Sequence, residues 1–174
     1  DQTRGWFYTL HAIGTLVFDS KAYKNVMSNG LVLDKNGQKM SKRLGNAVDP
    51  FETLATYGPD ATRWYMIANA QPWENLKFDI AGVDEVRRKF FGTLYNTYSF
   101  FSLYANVDEF TFAEEEIPVS ERAELDQWII SELNTLTKKV DAFLADYEPT
   151  KAARAIQEFV IDNLSNWHVR LSRR

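Results

Sequence analysis

The stretch NGQKMSKRLGN, residues 36–46, is the most informative part of this 174-residue chain. It places Lys39 and Lys42 three residues apart, with a serine between them and glycines on both sides. A lysine ammonium is a compact charge on a flexible stem, and a glycine-flanked loop can bring two of them over a polyphosphate. The stretch therefore predicts a nucleotide-binding loop, with a solvated basic turn as the alternative.

Turn and cap signals around this stretch predict its local fold. The β-prone segments Tyr23–Ser28 and Leu31–Leu33 precede Asn36-Gly37, a dipeptide typical of tight hairpin turns. On the other side, Asp49-Pro50 is typical of a helix N-cap followed by proline at the first helical position. We therefore expect a short strand and a small hairpin before residues 39–43, and a helix after them.

Helical periodicity dominates the rest of the chain. Apolar residues recur at helical spacing from Trp6 to Phe18 and again along three long segments after Asp79, the first two separated by the acidic connector Asp108–Pro118. We predict a fold that is mainly α with a small β element, ending in an antiparallel helical bundle. In the first and third long segments the residues expected to face inward are Val83, Val86, Phe90, Leu94, Phe101, Tyr104, Ile156, Phe159, Val160, Leu164, Trp167 and Leu171.

Composition and charge exclude several classes of protein. The chain has no cysteine, which excludes a disulfide framework, a cysteine-ligated zinc site and a cysteine nucleophile. Its net charge of −4 is uneven, at +1 over residues 1–80, −8 over residues 81–148 and +3 over residues 149–174. Phosphate contacts must therefore come from local basic clusters.

The same sequence carries no membrane or export signal. No apolar run approaches the roughly 20 residues needed to cross a bilayer, and no signal peptide is visible at the start. We expect a soluble, cytoplasmic protein. The start at Asp1 instead of methionine indicates a piece of a longer chain.

Several segments, taken in order, resemble the class I aminoacyl-tRNA synthetases. KMSKR at residues 39–43 resembles the KMSKS signature of that class and departs from it only at Arg43. DQTRGWF at residues 1–7 is similar to the segment that contacts the aminoacyl-adenylate in the isoleucine-specific family, and YGPDATR at residues 57–63 is similar to another stretch of that group. NLSNWHVR at residues 163–170 resembles the start of its tRNA-contacting helix, with His168 where tyrosine is more usual. The resemblance covers almost the whole chain.

This resemblance implies a division into three regions. Residues 1–48 would be the end of a Rossmann-type, nucleotide-binding catalytic domain that carries the KMSKR loop. Residues 49–80 would be a connecting helical segment. Residues 81–174 would be the start of an anticodon-binding helical bundle, cut before its end.

The resemblance also implies roles for particular residues. Lys39 and Lys42 would be catalytic, because they would stabilise the ATP phosphates while the carboxylate of isoleucine attacks. The ATP-binding set would be Lys39, Met40, Ser41, Lys42 and Arg43. The contacts to the aminoacyl-adenylate would be Asp1, Gln2 and Trp6.

The partners implied are ATP with Mg²⁺, isoleucine and tRNA(Ile). The tRNA would meet the helical region through Arg170, Arg173 and Arg174 at the basic end of the chain, with Lys151 and Arg154 nearby. We expect no metal site within these residues, no membrane partner and a monomeric protein.

Two alternatives stay open. A class I synthetase also needs a HIGH motif, which neither histidine supplies, so the chain alone is not expected to catalyse. A valyl- or leucyl-tRNA synthetase is the nearest enzyme alternative, and the RGWF sequence at residues 4–7 argues against it. The alternative from a different class is a noncatalytic helical RNA-binding module.

Overall fold

The computed structural model describes residues 3–173, with the side chain of Thr3 left out. These residues form a mainly helical fold with one two-stranded sheet, as the sequence predicted. No helix in the described range is long and apolar enough to span a bilayer.

The described chain begins with a helical arm. A π-helical turn at Thr3–Phe7 leads into helix α1 at Tyr8–Phe18, which confirms the helix predicted from apolar spacing. Asp19 ends the helix in the left-handed conformation with a φ of 47°. The Tyr23 hydroxyl then donates a hydrogen bond of 2.9 Å to the Phe7 carbonyl oxygen, so the segment after α1 folds back against the start of the helix.

The sheet pairs two strands that are far apart in sequence. Strand β1 at Val32–Leu33 runs parallel to strand β2 at Leu76–Lys77. Gly30, just before β1, lies so close to the backbone at Glu74 that a Cβ atom would overlap the Glu74 carbonyl group. Only glycine therefore permits this approach of the two segments.

Two details of the strand prediction are wrong. Tyr23–Ser28 forms no strand, and β2 was not anticipated. β-propensity produces a strand only where a neighbouring strand offers pairing, and residues 23–28 have no such neighbour within the described part of the chain. A strand of two residues is also too short to show the alternation by which strands are predicted.

The predicted hairpin is present as a tight turn. The Gly37 amide donates to the Asp34 carbonyl oxygen at 2.9 Å, and the Asp34 amide donates to the Gln38 carbonyl oxygen at 2.8 Å. Gly37 has a φ of +82°, a conformation that glycine adopts without strain. A single bridge pairs Leu33 with Lys39 across the turn.

Two short helices follow the loop. Helix α2 at Pro50–Tyr57 begins as predicted, with the Asp49 carboxylate accepting hydrogen bonds from the amides of Phe51 and Glu52 at 2.8 and 3.2 Å. Helix α3 at Pro59–Asn69 begins with proline at its first turn. Together these helices form the crossover between the parallel strands β1 and β2.

The three long helical segments expected after Asp79 are confirmed. The first consists of α4 at Ile80–Val86, a π-helical turn and α5 at Gly92–Val107, and the second is α6 at Glu124–Ala145. The third consists of α7 at Pro149–Glu158, π-helical turns at Phe159–Val169 and α8 at Arg170–Ser172. The acidic connector before α6 forms no helix until a 3₁₀ turn at Val119–Glu121.

Helix α3 joins two hydrophobic cores. Tyr65 belongs to the first, which also contains Ala61, Leu76, Phe78 and Val83. On the same helix, the Trp64 ring stacks on Phe90 with ring centroids 4.5 Å apart, against the second core of Phe90, Ile129, Phe159 and Val160. The loop at residues 39–46, through Met40, and the helical bundle therefore share one supporting element.

Part of the predicted inward face is exposed. Phe101 and Tyr104 are 56% and 52% exposed, and Trp167 is 59% exposed. Phe101 and Tyr104 line an open groove of about 1000 Å³, and the Trp167 ring lies beside that of Trp128 on α6, with ring centroids 6.4 Å apart. Helical spacing identifies an apolar face but not whether another element covers it.

Candidate functional site

The loop at residues 39–46 is suspended between β1 and α2. Ser41 Oγ accepts a hydrogen bond from the Arg43 amide at 3.2 Å and so caps a 3₁₀ turn at Lys42–Leu44. Gly45 closes that turn with a φ of 65°. The serine between the lysines therefore stabilises the turn that begins at Lys42.

A buried carboxylate lies underneath the loop. Asp34 is 7% exposed, and its Oδ1 accepts hydrogen bonds from the amides of Asn36 and Gln38 at 2.9 and 2.8 Å. Its Oδ2 accepts from Asn46 Nδ2 at 2.9 Å. The hydrogen bond from the Gln38 amide, followed by that from Asn46, lowers the pKa of Asp34 below its ordinary value of 3.8.

Asn46 connects this carboxylate to the loop backbone. Its Oδ1 accepts a hydrogen bond from the Ser41 amide at 2.8 Å, and its Nδ2 also lies 3.3 Å from the Lys39 carbonyl oxygen. The amide of one side chain thus bridges both ends of the Lys39–Ser41 segment. Sequence reasoning missed Asp34 and Asn46, although an aspartate two residues before Asn36-Gly37 is a known signal for a side chain that closes its own turn.

Side chains of the loop divide into buried and exposed groups. Met40 is half-buried and packs against the first core. Lys39, Lys42 and Arg43 are exposed, and no carboxylate within residues 3–173 forms an ion pair with them. The loop therefore presents cations to solvent while its apolar side chain anchors it. Such an arrangement can stabilise negative charge on phosphate oxygens.

The residues expected to contact the adenylate are only partly described. Asp1 and Gln2 lie outside the described residues. Trp6 lies in the π-helical turn before α1 and is 62% exposed. Its indole is available to a ligand, since burial in the folded chain does not account for it.

At the basic end of the chain, one of the arginines predicted to contact tRNA makes an intramolecular contact. Arg170 is exposed at the start of α8, whereas Arg173 has left the helix with a ψ of 94°, and its guanidinium lies over the Phe100 ring at 4.8 Å from the centroid. Because ψ turns the chain only after Arg173, the placement of Arg170 and Arg173 on one side of a helical turn stays a prediction, and the Arg173 side chain also has an intramolecular partner on α5. Arg174 lies outside the described residues.

The prediction that Lys151 and Arg154 adjoin these arginines is wrong. Arg154 donates hydrogen bonds of 2.8 and 3.0 Å to the carbonyl oxygens of Ala68 and Asn69, where it satisfies the end of α3. Lys151 pairs with Glu148 at 3.0 Å. At about 1.5 Å per residue, Arg154 lies about 24 Å and Lys151 about 28 Å along the same helical segment from Arg170.

Candidate metal ligands are not grouped in the described structure. Among residues 3–173, no set of three histidine, aspartate or glutamate side chains is placed to hold a metal ion. The only polar contact of the His168 ring in that range joins its Nε2 to Asp126 Oδ1 at 2.8 Å, which ties the third helical segment to α6.

Comparison with protein families identifies two segments of the chain. The family model described as "tRNA synthetases class I (I, L, M and V)" matches residues 1–79, and the model described as "Anticodon-binding domain of tRNA ligase" matches residues 126–174. The chain belongs to the class I tRNA synthetases.

Individual relatives sharpen this assignment. The chain is 70% identical over all 174 residues to the isoleucine–tRNA ligase of Bacteroides fragilis and 67% identical to that of Cytophaga hutchinsonii. It is 50% identical over 173 residues to the isoleucine–tRNA ligase of Clostridium tetani. The chain spans about 15% of the length of the Bacteroides relative and about 16% of the other two.

A solved structure supports the fold independently. The leucyl-tRNA synthetase AgnB2 of Agrobacterium radiobacter K84, determined in a ternary complex with tRNA and LeuAMS, superposes with a TM-score of 0.74. The match covers 94% of this chain and 20% of that one at 22% sequence identity. The likeness extends through both the loop region and the helical bundle.

Proposed function

We propose that this chain is the part of an isoleucine–tRNA ligase that carries the KMSKS-type loop and connects it to the anticodon-binding bundle. The observation that carries the proposal is the 67–70% identity to isoleucine–tRNA ligases over the full 174 residues. The whole protein would activate isoleucine with ATP and transfer it to tRNA(Ile). This chain supplies one part of that machinery and requires the rest for catalysis.

The loop would act on the phosphates of ATP. The isoleucine carboxylate attacks the α-phosphorus, the bond to the bridging oxygen breaks, and pyrophosphate leaves as isoleucyl-adenylate forms. Lys39 and Lys42 would neutralise the negative charge that shifts among phosphate oxygens in this step. A protonated lysine ammonium donates hydrogen bonds to phosphate oxygens, but it cannot ligate a metal ion. Mg²⁺ prefers oxygen ligands, so it would be held by the ATP phosphates and not by these lysines.

Other residues of the chain would serve recognition. Asp1, Gln2 and Trp6 would contact the adenylate, with the exposed Trp6 indole as an apolar wall. Arg170, Arg173 and Arg174 would meet phosphates of tRNA(Ile), which position the RNA without reading its bases. The proposed setting is a cytoplasmic, monomeric enzyme.

Amino-acid specificity of activation tests the proposal. The full-length protein that contains this chain should catalyse pyrophosphate exchange into ATP that depends on isoleucine, with a higher kcat/KM than for leucine, valine or methionine. A preference for leucine or valine would assign the protein to another branch of the class. Exchange with none of these amino acids, together with tRNA binding, would favour a noncatalytic RNA-binding module.

A further inference from the structure

The side chain of Asn46 forms hydrogen bonds with Asp34 and with the backbone of the loop. Asn46 contacts the backbone on both sides of Met40, at the Lys39 carbonyl oxygen and the Ser41 amide. Ser41 in turn caps the turn that begins at Lys42. A continuous series of hydrogen bonds therefore runs from Asp34 through Asn46 and Ser41 to the backbone that carries both lysines.

The orientation of the Asn46 amide follows from the chemistry of its partners. An ionised carboxylate only accepts hydrogen bonds, and a backbone amide only donates them. Asp34 Oδ2 therefore requires the Nδ2 of Asn46, at 2.9 Å, and the Ser41 amide requires its Oδ1, at 2.8 Å. A substitution that places two acceptors or two donors at positions 34 and 46 removes the hydrogen bond between these side chains.

Neither residue is available to a substrate in this arrangement. Both carboxylate oxygens of Asp34 are engaged within the protein, and the residue is 7% exposed. Both polar atoms of the Asn46 amide are likewise engaged. Their effect on ATP must therefore pass through the loop backbone.

We propose that Asp34 and Asn46 are positioning residues, which set the conformation from which Lys39 and Lys42 reach the ATP phosphates. The proposal rests on the proposed function of the loop. Displacement of a catalytic group by about 1 Å can lower a rate by about 100-fold, so a correctly folded protein with this pair broken should lose activity.

A reciprocal exchange of the two side chains tests the pair. Asn46→Asp places two carboxylates against each other, whereas the double variant Asp34→Asn with Asn46→Asp restores one donor facing one acceptor. In the exchanged pair, the side-chain amide oxygen introduced at position 34 would still accept from the amides at 36 and 38, and the new carboxylate at position 46 would accept from the Ser41 amide. The longer hydrogen bond of 3.3 Å from position 46 to the Lys39 carbonyl oxygen would be lost, because a carboxylate has no donor. Asn25→Asp is the matched control, since it adds the same charge at an exposed position in the segment before β1.

The experiment measures isoleucine-dependent pyrophosphate exchange at varied ATP in the full-length protein. Asn46→Asp should lower kcat/KM for ATP by about 100-fold, and the double variant should recover part of that loss. The affinity for isoleucine without ATP should not change in any variant, which also shows that each has folded. If Asn46→Asp is insoluble, Asp34→Asn alone should show the same selective loss.

Different results would overturn the positioning role and the proposed function. Wild-type ATP kinetics in the single variants, or a double variant no better than Asn46→Asp, would overturn the positioning role. Loss of activity equal to that in Asn25→Asp would assign the effect to charge and overturn it as well. Absence of isoleucine-dependent exchange in the wild-type protein would instead reject the proposed function itself.

Discussion

Some side chains at the loop hold it against the fold, and others extend into solvent. Lys39 and Lys42 are exposed, whereas Met40 between them packs against the first core and Asp34 is buried below. The lysines were predictable from charge and spacing. The anchors were not, because the aspartate before Asn36-Gly37 signals only that its side chain closes its own turn. The contacts of Asp34 with Asn46 and of Met40 with the first core depend on the folded chain.

The ionisation of Asp34 makes a prediction about pH. Its pKa is lowered from 3.8, chiefly by the hydrogen bond from the Gln38 amide. A carboxylate with a lowered pKa in the folded state stabilises that state fully above its ordinary pKa, and the contribution disappears as pH falls through the lowered value. The unfolding free energy of the wild-type chain minus that of Asp34→Asn should therefore be constant above pH 3.8 and shrink only below it.

Chemical denaturation at a series of pH values measures this difference. A difference that already declines near neutral pH would show that the Asp34 carboxyl binds its proton too readily for the observed hydrogen bonds. The loop geometry described above would then be incorrect.

Among the elements, helix α3 has the widest influence because it links the loop region to the bundle. Thr150, at the start of α7, is fully buried, and its hydroxyl lies 2.8 and 2.9 Å from the carbonyl oxygens of Ile67 and Ala70 at the end of α3. One hydroxyl thus satisfies the end of one helix from the start of another. Arg154 reinforces the same junction.

Removal of that hydroxyl predicts a measurable loss of stability. Thr150→Val keeps the shape of the side chain but leaves the carbonyl oxygens of Ile67 and Ala70 without this donor at a partly buried junction, which should lower the unfolding free energy by roughly 1–3 kcal/mol. Thr137→Val is the matched control, because the Thr137 hydroxyl bonds only to the Leu133 carbonyl on the exposed face of α6. Equal losses in the two variants, measured by denaturation, would contradict the role given to the junction.

Elements with local signals were predictable from the sequence, and those that depend on distant partners were not. The turn at Asn36-Gly37 and the cap at Asp49 are formed by neighbouring residues, and both appear where predicted. Strand β2 depends on a parallel partner 44 residues earlier, and Tyr23–Ser28 lacks such a partner in the described structure. The charge of Arg154 predicts a contact with tRNA, whereas its hydrogen bonds to the end of α3 have no sequence signature.

Across the whole molecule, acidic and basic residues are concentrated in different segments, so we expect phosphate contacts only at the basic ones. The acidic −8 of residues 81–148 disfavours RNA, whereas residues 149–174 carry +3. With Arg154 and Lys151 committed elsewhere, the exposed Arg170 and the nearby Arg173 are the remaining described cations of that end. Contact with tRNA should therefore depend on few residues.

Neutralising those two arginines should change the salt dependence of tRNA binding. In the full-length protein, Arg170→Gln with Arg173→Gln should weaken binding and reduce the slope of log affinity against log salt by about one to two, at about 0.9 per phosphate contact. Lys138→Gln with Lys139→Gln removes the same charge from exposed positions on α6 and serves as the control. An unchanged slope in the arginine variant, measured by titration at two salt concentrations, would assign the arginines to intramolecular contacts such as that with Phe100.

Lys42→Ala in the full-length protein shows whether the Lys39–Arg43 loop acts on the phosphates of ATP. Isoleucine-dependent pyrophosphate exchange should fall by roughly 10²–10³-fold, the usual effect of losing one electrostatic stabiliser of a transition state. Lys35→Ala, at an exposed position in the preceding turn, should exchange at close to the wild-type rate. Wild-type exchange in Lys42→Ala, or an equal loss in both variants, would contradict the account.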